Sequence, residues 1–257
     1  MKRATFRPVL ACMIGLLLVS CQGNADSNRN SPLSPDQNII ASVVGDARLR
    51  IPEFPSGPDG FVGGITNPYL MYTPGNKFTY GAQTDEGAER IVIDVLSDTK
   101  TILGVATTVV HDQVFLNDTL IEDTYDWYAQ DSSGNVWYFG EDTKEYENGV
   151  VVSTEGSWEA GVGGAVSGIA MLAVPRIGLS YHQEFAEDVA EDMAQVVGPP
   201  ATTVEIPFGR FENAIRIMEW TPLDHSVREF KYYVSGVGMV LEVSPRSGVR
   251  VELMTID

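Results

Sequence analysis

Cysteine is nearly absent from this 257-residue chain, which has two, Cys12 and Cys21. Past residue 21 there is no thiol, so disulfides, thiolate metal sites and a cysteine nucleophile are excluded for the rest of the protein. Positive charge is also scarce. Seventeen Lys and Arg stand against 35 Asp and Glu, a formal charge of −18. A surface that acidic repels phosphate backbones and anionic headgroups, so neither nucleic acid nor electrostatic membrane binding is expected, whereas cations are attracted. Histidine occurs three times, at His111, His182 and His225. A Gly-x-Ser-x-Gly elbow, a His-Glu-x-x-His pair, a phosphate loop and a dinucleotide glycine fingerprint are all missing. The longest apolar run, Val9 to Val19, is too short to span a bilayer.

That run follows Lys2, Arg3 and Arg7, the charged-then-apolar layout of an export signal. It ends in Leu18-Val19-Ser20-Cys21, which resembles the lipobox of bacterial lipoproteins. The resemblance implies cleavage before Cys21, acylation of that cysteine and a membrane partner reached through its lipid. Residues 1–20 are thus expected to be a lipoprotein signal peptide. Gln22 favours the outer membrane in an organism that has one. Loss of the three basic residues of the leader takes the formal charge from −18 to −21.

Residues 21–38 are mostly Asn, Ser, Pro and Asp, with a single large apolar side chain, Leu33. They read as a flexible tether, because nothing there offsets the entropy of ordering. Residues 39–64 carry a short apolar patch (Ile39, Ile40, Val43, Val44) and then "IPEFPSGPDGFVGG", read as an extended Pro- and Gly-rich segment lying against the domain. Residues 65–257 suffice for one core.

That domain reads as strands. Ile91, Ile93 and Val95 alternate on one side of "ERIVIDVLS", and β-branched residues crowd Ile102 to Val110. Turn chemistry recurs about every ten residues, at Asn117-Asp118, Asp131 to Asn135, Asn148-Gly149 and Ser247-Gly248. The fold class is therefore mainly β: an antiparallel meander forming a barrel or sandwich, with Gly156 to Gly168 and Gly236 to Gly238 as bends or bulges. One short helix is expected where Val189, Met193, Val196 and Val197 fall at helical spacing. Glu187 and Asp188 suit its N-terminus, and Gly198-Pro199-Pro200 would end it.

The stretch "DTYDWYAQDSSGNVWYFGEDTKEYE", 123–147, is the densest in aromatics and carboxylates. Asp131 to Asn135 suits a type I turn with Gly134 left-handed, which sets Ala129 opposite Trp137. Alternation then separates Tyr125, Trp127, Trp137 and Phe139, assigned to the core, from Asp126, Tyr128 and Tyr138, assigned to the outer face. The second set, together with His182, is the candidate ligand-binding group: tyrosines stack on a sugar ring and carboxylates accept its hydroxyl protons. Acidic residues cluster at one end of the same strands. Asp123, Glu141 and Asp142 are candidate calcium ligands, since oxygen donors without thiols suit a hard cation. A solvated edge that resists strand aggregation explains the same cluster with no cofactor at all.

Three blocks carry a resemblance. "NPYLMYTPGNKFTY" (67–80), "EDTYDWYAQDSSGNVWYFGED" (122–142) and the ending "VEIPFGRFENAIRIMEWTPLD…EFKYYVSGVGMVLEV" (204–243) are similar to a set of bacterial secreted proteins and lipoproteins that carries no assigned activity. The resemblance implies a β-rich envelope domain. Two roles follow for a lipid-anchored acidic β domain in the cell envelope. The first is non-catalytic binding of a small molecule, glycan, cation or envelope partner. The second is a hydrolase or lyase on glycans or a similar polymer.

Overall fold

The computed structural model describes residues 50–257. The expected signal peptide, Cys21, the tether and the 39–44 apolar patch lie outside the described residues.

A single turn of 3-10 helix, Pro58–Gly60, precedes β1 (Phe61–Val62). Five strands then form an antiparallel meander: β2 (Lys77–Gln83), β3 (Ala88–Ile102), β4 (Val105–Leu116), β5 (Thr119–Asp131) and β6 (Val136–Glu147). Along the second edge of β6 pair three short strands at different heights, β7 (Val150–Ser153), β8 (Trp158–Glu159) and β9 (Val166–Met171). Next come β10 (Ser180–His182) and β11 (Glu184–Phe185), followed by β12 (Met193–Ile206), β13 (Gly209–Trp220), β14 (Arg228–Val234), β15 (Gly238–Val243) and β16 (Arg250–Ile256). β16 pairs with β2, so the C-terminal meander joins the N-terminal one edge to edge.

The sheet path begins at β10 and ends at β11. Those two strands flank Gln183, so one extended segment pairs with β12 through its first half and β9 through its second. The sheet thereby curls into a nearly closed barrel. Gly168 lets the closing segment approach, because a Cβ there would overlap the Gln183 backbone.

Turn chemistry explains the hairpins. Asn117 and Asp118 both take left-handed φ, as do Asn148 and Gly149, the geometry of tight two-residue connections. At the β5–β6 turn Gly134 has φ +93°, and Asp131 Oδ1 accepts the Ser133 and Asn135 amides at 2.8 and 2.9 Å. Ala129 faces Trp137, as the turn dictates.

The expected short helix is not formed. Ala186 bridges Ala190 across a turn in which Asp188 takes φ +59°, and Met193 opens strand β12. Valine favours a strand, and alternation buries Ala194 and Val196 toward the barrel axis. A register shift between Val197 and Thr202 lets Pro199 and Pro200 sit in β12 without donors to its ladder.

The inner and outer faces are also the reverse of those expected. Tyr128, Tyr138 and Asp126 point into the barrel. Trp127, Trp137 and Phe139 lie on its outside, yet they are buried as well. The cover is the N-terminal extension, held by β1 pairing with β5. Phe54 stacks edge-on against Trp137 at 5.1 Å, and Phe61 meets Phe139 at 5.5 Å. Lys100 lies over the Trp127 ring at 3.2 Å. Both faces of the turn-proximal half of the β5–β6 hairpin are therefore dry.

Phe54→Ala is expected to cost about 1 kcal/mol, since this ring is only partly buried and a fully buried Phe is worth roughly 1.5–3 kcal/mol. That corresponds to a fall of about 2–4 °C in melting temperature for a domain of this size. Tryptophan emission should shift to the red as Trp137 gains water, and an unchanged spectrum would show that the extension does not seal this face.

Candidate functional site

The barrel interior is divided by height. Segment 65–72 crosses one end as a plug. Asn67 donates to the carbonyls of Gly134 and Leu172 at 3.0 and 3.1 Å, and the Thr66 amide donates to Gln130 Oε1 at 2.8 Å. Beneath the plug the walls are aromatic. Tyr72 packs on Tyr128 at 5.2 Å, and Tyr128 stacks on Tyr138 at 4.8 Å. A small apolar cavity opens here beside Leu70, Phe78 and Met239.

Toward the other end, which carries the 83–88, 116–119 and 147–150 turns, the interior is acidic. The register places the residues. Asp126 of β5 faces Val110 and Glu141, and Asp112 of β4 faces Ile93 and Thr124. Glu219 of β13 faces Glu229, and Lys231 of β14 faces both Ile217 and Glu242. Glu89, Glu184 and Asp192 are buried with them. Glu122 pairs with Glu145 in register, half-buried at the mouth. Among the described residues Lys231 is the only buried cation. Its ammonium is wholly enclosed, 2.6 Å from Glu219 Oε2 and 3.8 Å from Glu242 Oε2.

Such a concentration of carboxylates is tolerable only if most are neutral or compensated. Burial pushes Glu89, Glu122, Asp126 and Glu229 up to about 7. Neighbouring carboxylates push the same way, Glu122 acting on Asp126 and Glu145 acting on Glu122. Asp112, Glu141, Glu184 and Glu242 are driven well above the ordinary range, again chiefly by burial. Lys231 pulls Asp112, Glu184, Glu229 and Glu242 part of the way back.

Part of this set is hydrogen-bonded and part is not. Tyr138 OH donates to Asp126 Oδ1 at 2.5 Å. Trp158 Nε1 donates to Glu184 Oε2 at 2.8 Å, and Thr143 Oγ1 donates to Glu141 Oε2 at 3.1 Å. The second oxygens of Glu141 and Glu184 are buried without a donor, as are Glu89 Oε1 and Asp112 Oδ1. A buried acceptor left unmatched costs about 1–3 kcal/mol, so each marks a place where a proton or a donor belongs.

Of the candidate ligand-binding residues, Asp126, Tyr128 and Tyr138 are brought together inside the barrel. His182 is on the exposed outer surface, edge-on to Phe185 at 5.7 Å. The three candidate calcium ligands are not brought together. Glu141 points inward, whereas Asp123 lies on the outer face, bonded to His111 at 2.6 Å, and Asp142 pairs with Lys144 at 2.9 Å. Among the described residues no group of three or more His, Cys, Asp or Glu is arranged to hold a metal ion. Sequence reasoning missed Glu219, Glu229, Lys231 and Glu242. A signal was present: each shares its strand face with apolar side chains, as Glu242 does in "GMVLEV".

No family model matches the chain, and no curated protein matches it. Two solved structures are similar in outline. One is a "putative exported protein with YmcC-like fold" from Bacteroides fragilis: 12% identity, 75% of this chain, 100% of that one, TM-score 0.39. The other, a "putative lipoprotein" from Parabacteroides distasonis, has 9% identity over 76% of this chain and 100% of that one, also with TM-score 0.39.

Proposed function

We propose that this protein is a lipid-anchored, non-catalytic binding protein of the cell envelope, tethered through Cys21, whose barrel interior is the receptor for its ligand. The observation that carries this reading is the set of buried carboxylate oxygens without donors at the acidic end of the barrel, beside a wall of tyrosines. A ligand of matching polarity supplies what the protein itself leaves unmatched.

An enzyme acting on glycans would use a carboxylate pair such as Asp126 and Glu141. One member of such a pair must be ionised and open to substrate. Burial here raises both members in the same direction instead of setting one low and one high, which favours binding.

The anchor and the receptor are tested separately. Cys21→Ala is expected to move the protein from the membrane pellet to the soluble fraction, and a variant that still sediments with membranes would refute the tether. For the receptor, melting curves of the mature domain against oligosaccharides and cations at matched ionic strength should show stabilisation by some compounds. The absence of any shift across both sets would remove the reading.

A further inference from the structure

Three carboxylates of the acidic lumen are linked to one another through aromatic donors. Asp126 of β5 and Glu141 of β6 are register partners, and Glu184 of β11 is joined to them through Trp158. Trp158 is the register partner of Glu141, donates to Glu184, and meets Tyr138 edge-on at 5.4 Å. Tyr138 in turn donates to Asp126. Glu141 is 4% exposed and Glu184 2%, and each keeps one oxygen bonded to a scaffold donor and one with none. Lys231, whose ammonium lies beside Glu219 and Glu242, draws Glu184 back only in part.

We propose that Asp126, Glu141 and Glu184 form a binding site for the ammonium group of an organic amine, with Tyr138 and Trp158 as its aromatic walls. The inference rests on the reading of the lumen as a receptor and adds the ligand's chemistry. The protein supplies its own precedent: Lys231 places a primary ammonium between Glu219 and Glu242 in the same interior. An ammonium has three donors and no acceptor, which fits acceptors on three strands better than a planar guanidinium does. Tyr138 OH and Trp158 Nε1 hold one oxygen each of Asp126 and Glu184 and so fix the two carboxylates. A metal is disfavoured, since it would need oxygen ligands converging at about 2.3–2.6 Å, and no described trio is so arranged. The approach is acidic too. Glu122 and Glu145 line the mouth and Glu89 lies among the carboxylates behind it, concentrating cations there.

An aliphatic polyamine and an amino sugar both present this group. The experiment is isothermal titration of the mature domain at pH 8 with spermidine and with glucosamine, using N-acetylglucosamine, a neutral oligosaccharide and calcium chloride as controls at matched ionic strength. One amine at least should bind with one-to-one stoichiometry, and N-acetylglucosamine, which lacks the charge, should not. Which amine binds identifies the source. Glu141→Gln and Glu184→Gln should each weaken the amine at least tenfold while keeping the native melting transition, because each removes a buried like charge and retains shape. Asp123→Asn, on the outer face, should leave binding unchanged.

Equal weakening by Asp123→Asn would mean general attraction to an acidic surface and would overturn the site. Calcium binding that depends on Glu141 would replace the ammonium with a metal. If the neutral oligosaccharide binds and the amines do not, the receptor stands and the ammonium site falls. If nothing binds, both fall.

Discussion

Lys231→Met is expected to lower the melting temperature by about 10 °C at pH 8, the shift that corresponds to the roughly 3–5 kcal/mol lost when one partner of a buried ion pair is removed from a domain of this size. The side chain is 0% exposed, and its charge acts on Glu219, Glu242, Glu229, Asp112 and Glu184. Methionine fills the space but leaves those carboxylates with no cation. At pH 8 they must take up protons from a dilute pool or repel one another. At pH 5 protons are a thousandfold more available, so the same substitution should cost much less. The triple variant Lys231→Met, Glu219→Gln, Glu242→Gln removes the orphaned charges along with the cation and should recover most of the loss, because replacing a whole buried set is far cheaper than breaking it. A loss that is equal at both pH values and persists in the triple variant would mean that the lysine acts through packing alone.

How far the sequence foretells this interior depends on which rule is applied. Turns were legible because their chemistry is local: Asn117-Asp118, Asn148-Gly149 and the Asp131–Asn135 loop each need left-handed φ where Asn, Asp or Gly stands. The β5–β6 register beside the turn followed from the last of these, whereas the one-residue shift between Tyr128 and Asp126 did not. Alternation also divided the hairpin's side chains correctly into two sets, Trp127 and Trp137 on one face and Tyr128 and Tyr138 on the other. It could not say which set points inward, because alternation carries no sign. Burial of the Trp set depends on Phe54 and Phe61, some seventy to eighty residues earlier in the chain, which no local pattern reveals.

The helical expectation failed for a related reason. Val189, Met193, Val196 and Val197 fall at helical spacing, but Val189 lies in the turn between Ala186 and Ala190, and Met193 opens an alternating strand. The carboxylates were read as a solvated edge since Asp and Glu rarely lie inside. Asp123 and Asp142 obey that rule, while Asp126 and Glu141, on the other face of the same two strands, do not. Parity with Ile91, Ile93, Ile217 and Val240 would have placed Glu89, Glu219 and Glu242 on the faces of buried apolar residues. What no parity argument supplies is that so many strands close into one lumen.

That lumen also predicts an inverted response to acid. Glu89, Glu122, Asp126 and Glu229, each raised to about 7, hold protons in the folded state that they release in the unfolded chain above about pH 4.5. Between those values the native state binds more protons than the unfolded one, so stability falls as pH rises and is fully present below the unfolded values. A tenfold gain in a carboxylate's proton affinity on folding is worth about 1.4 kcal/mol at most, and allowing for coupling between neighbours the four together should give a difference of roughly 3–5 kcal/mol. The melting temperature at constant ionic strength should therefore be about 10 °C higher at pH 5 than at pH 8. Asp224 and Glu212, held low by hydrogen bonds at the surface, act in the opposite sense only below this window. Glu89→Gln with Glu122→Gln should flatten the profile by raising stability at pH 8 while leaving pH 5 nearly unchanged. A melting temperature that is level from pH 5 to 8, or that falls toward pH 5, would mean these carboxylates are already compensated in the folded protein. If the lumen takes an amine, amine and proton compete for the same oxygens, so a saturating amine should reduce the slope and its binding should release protons into the buffer.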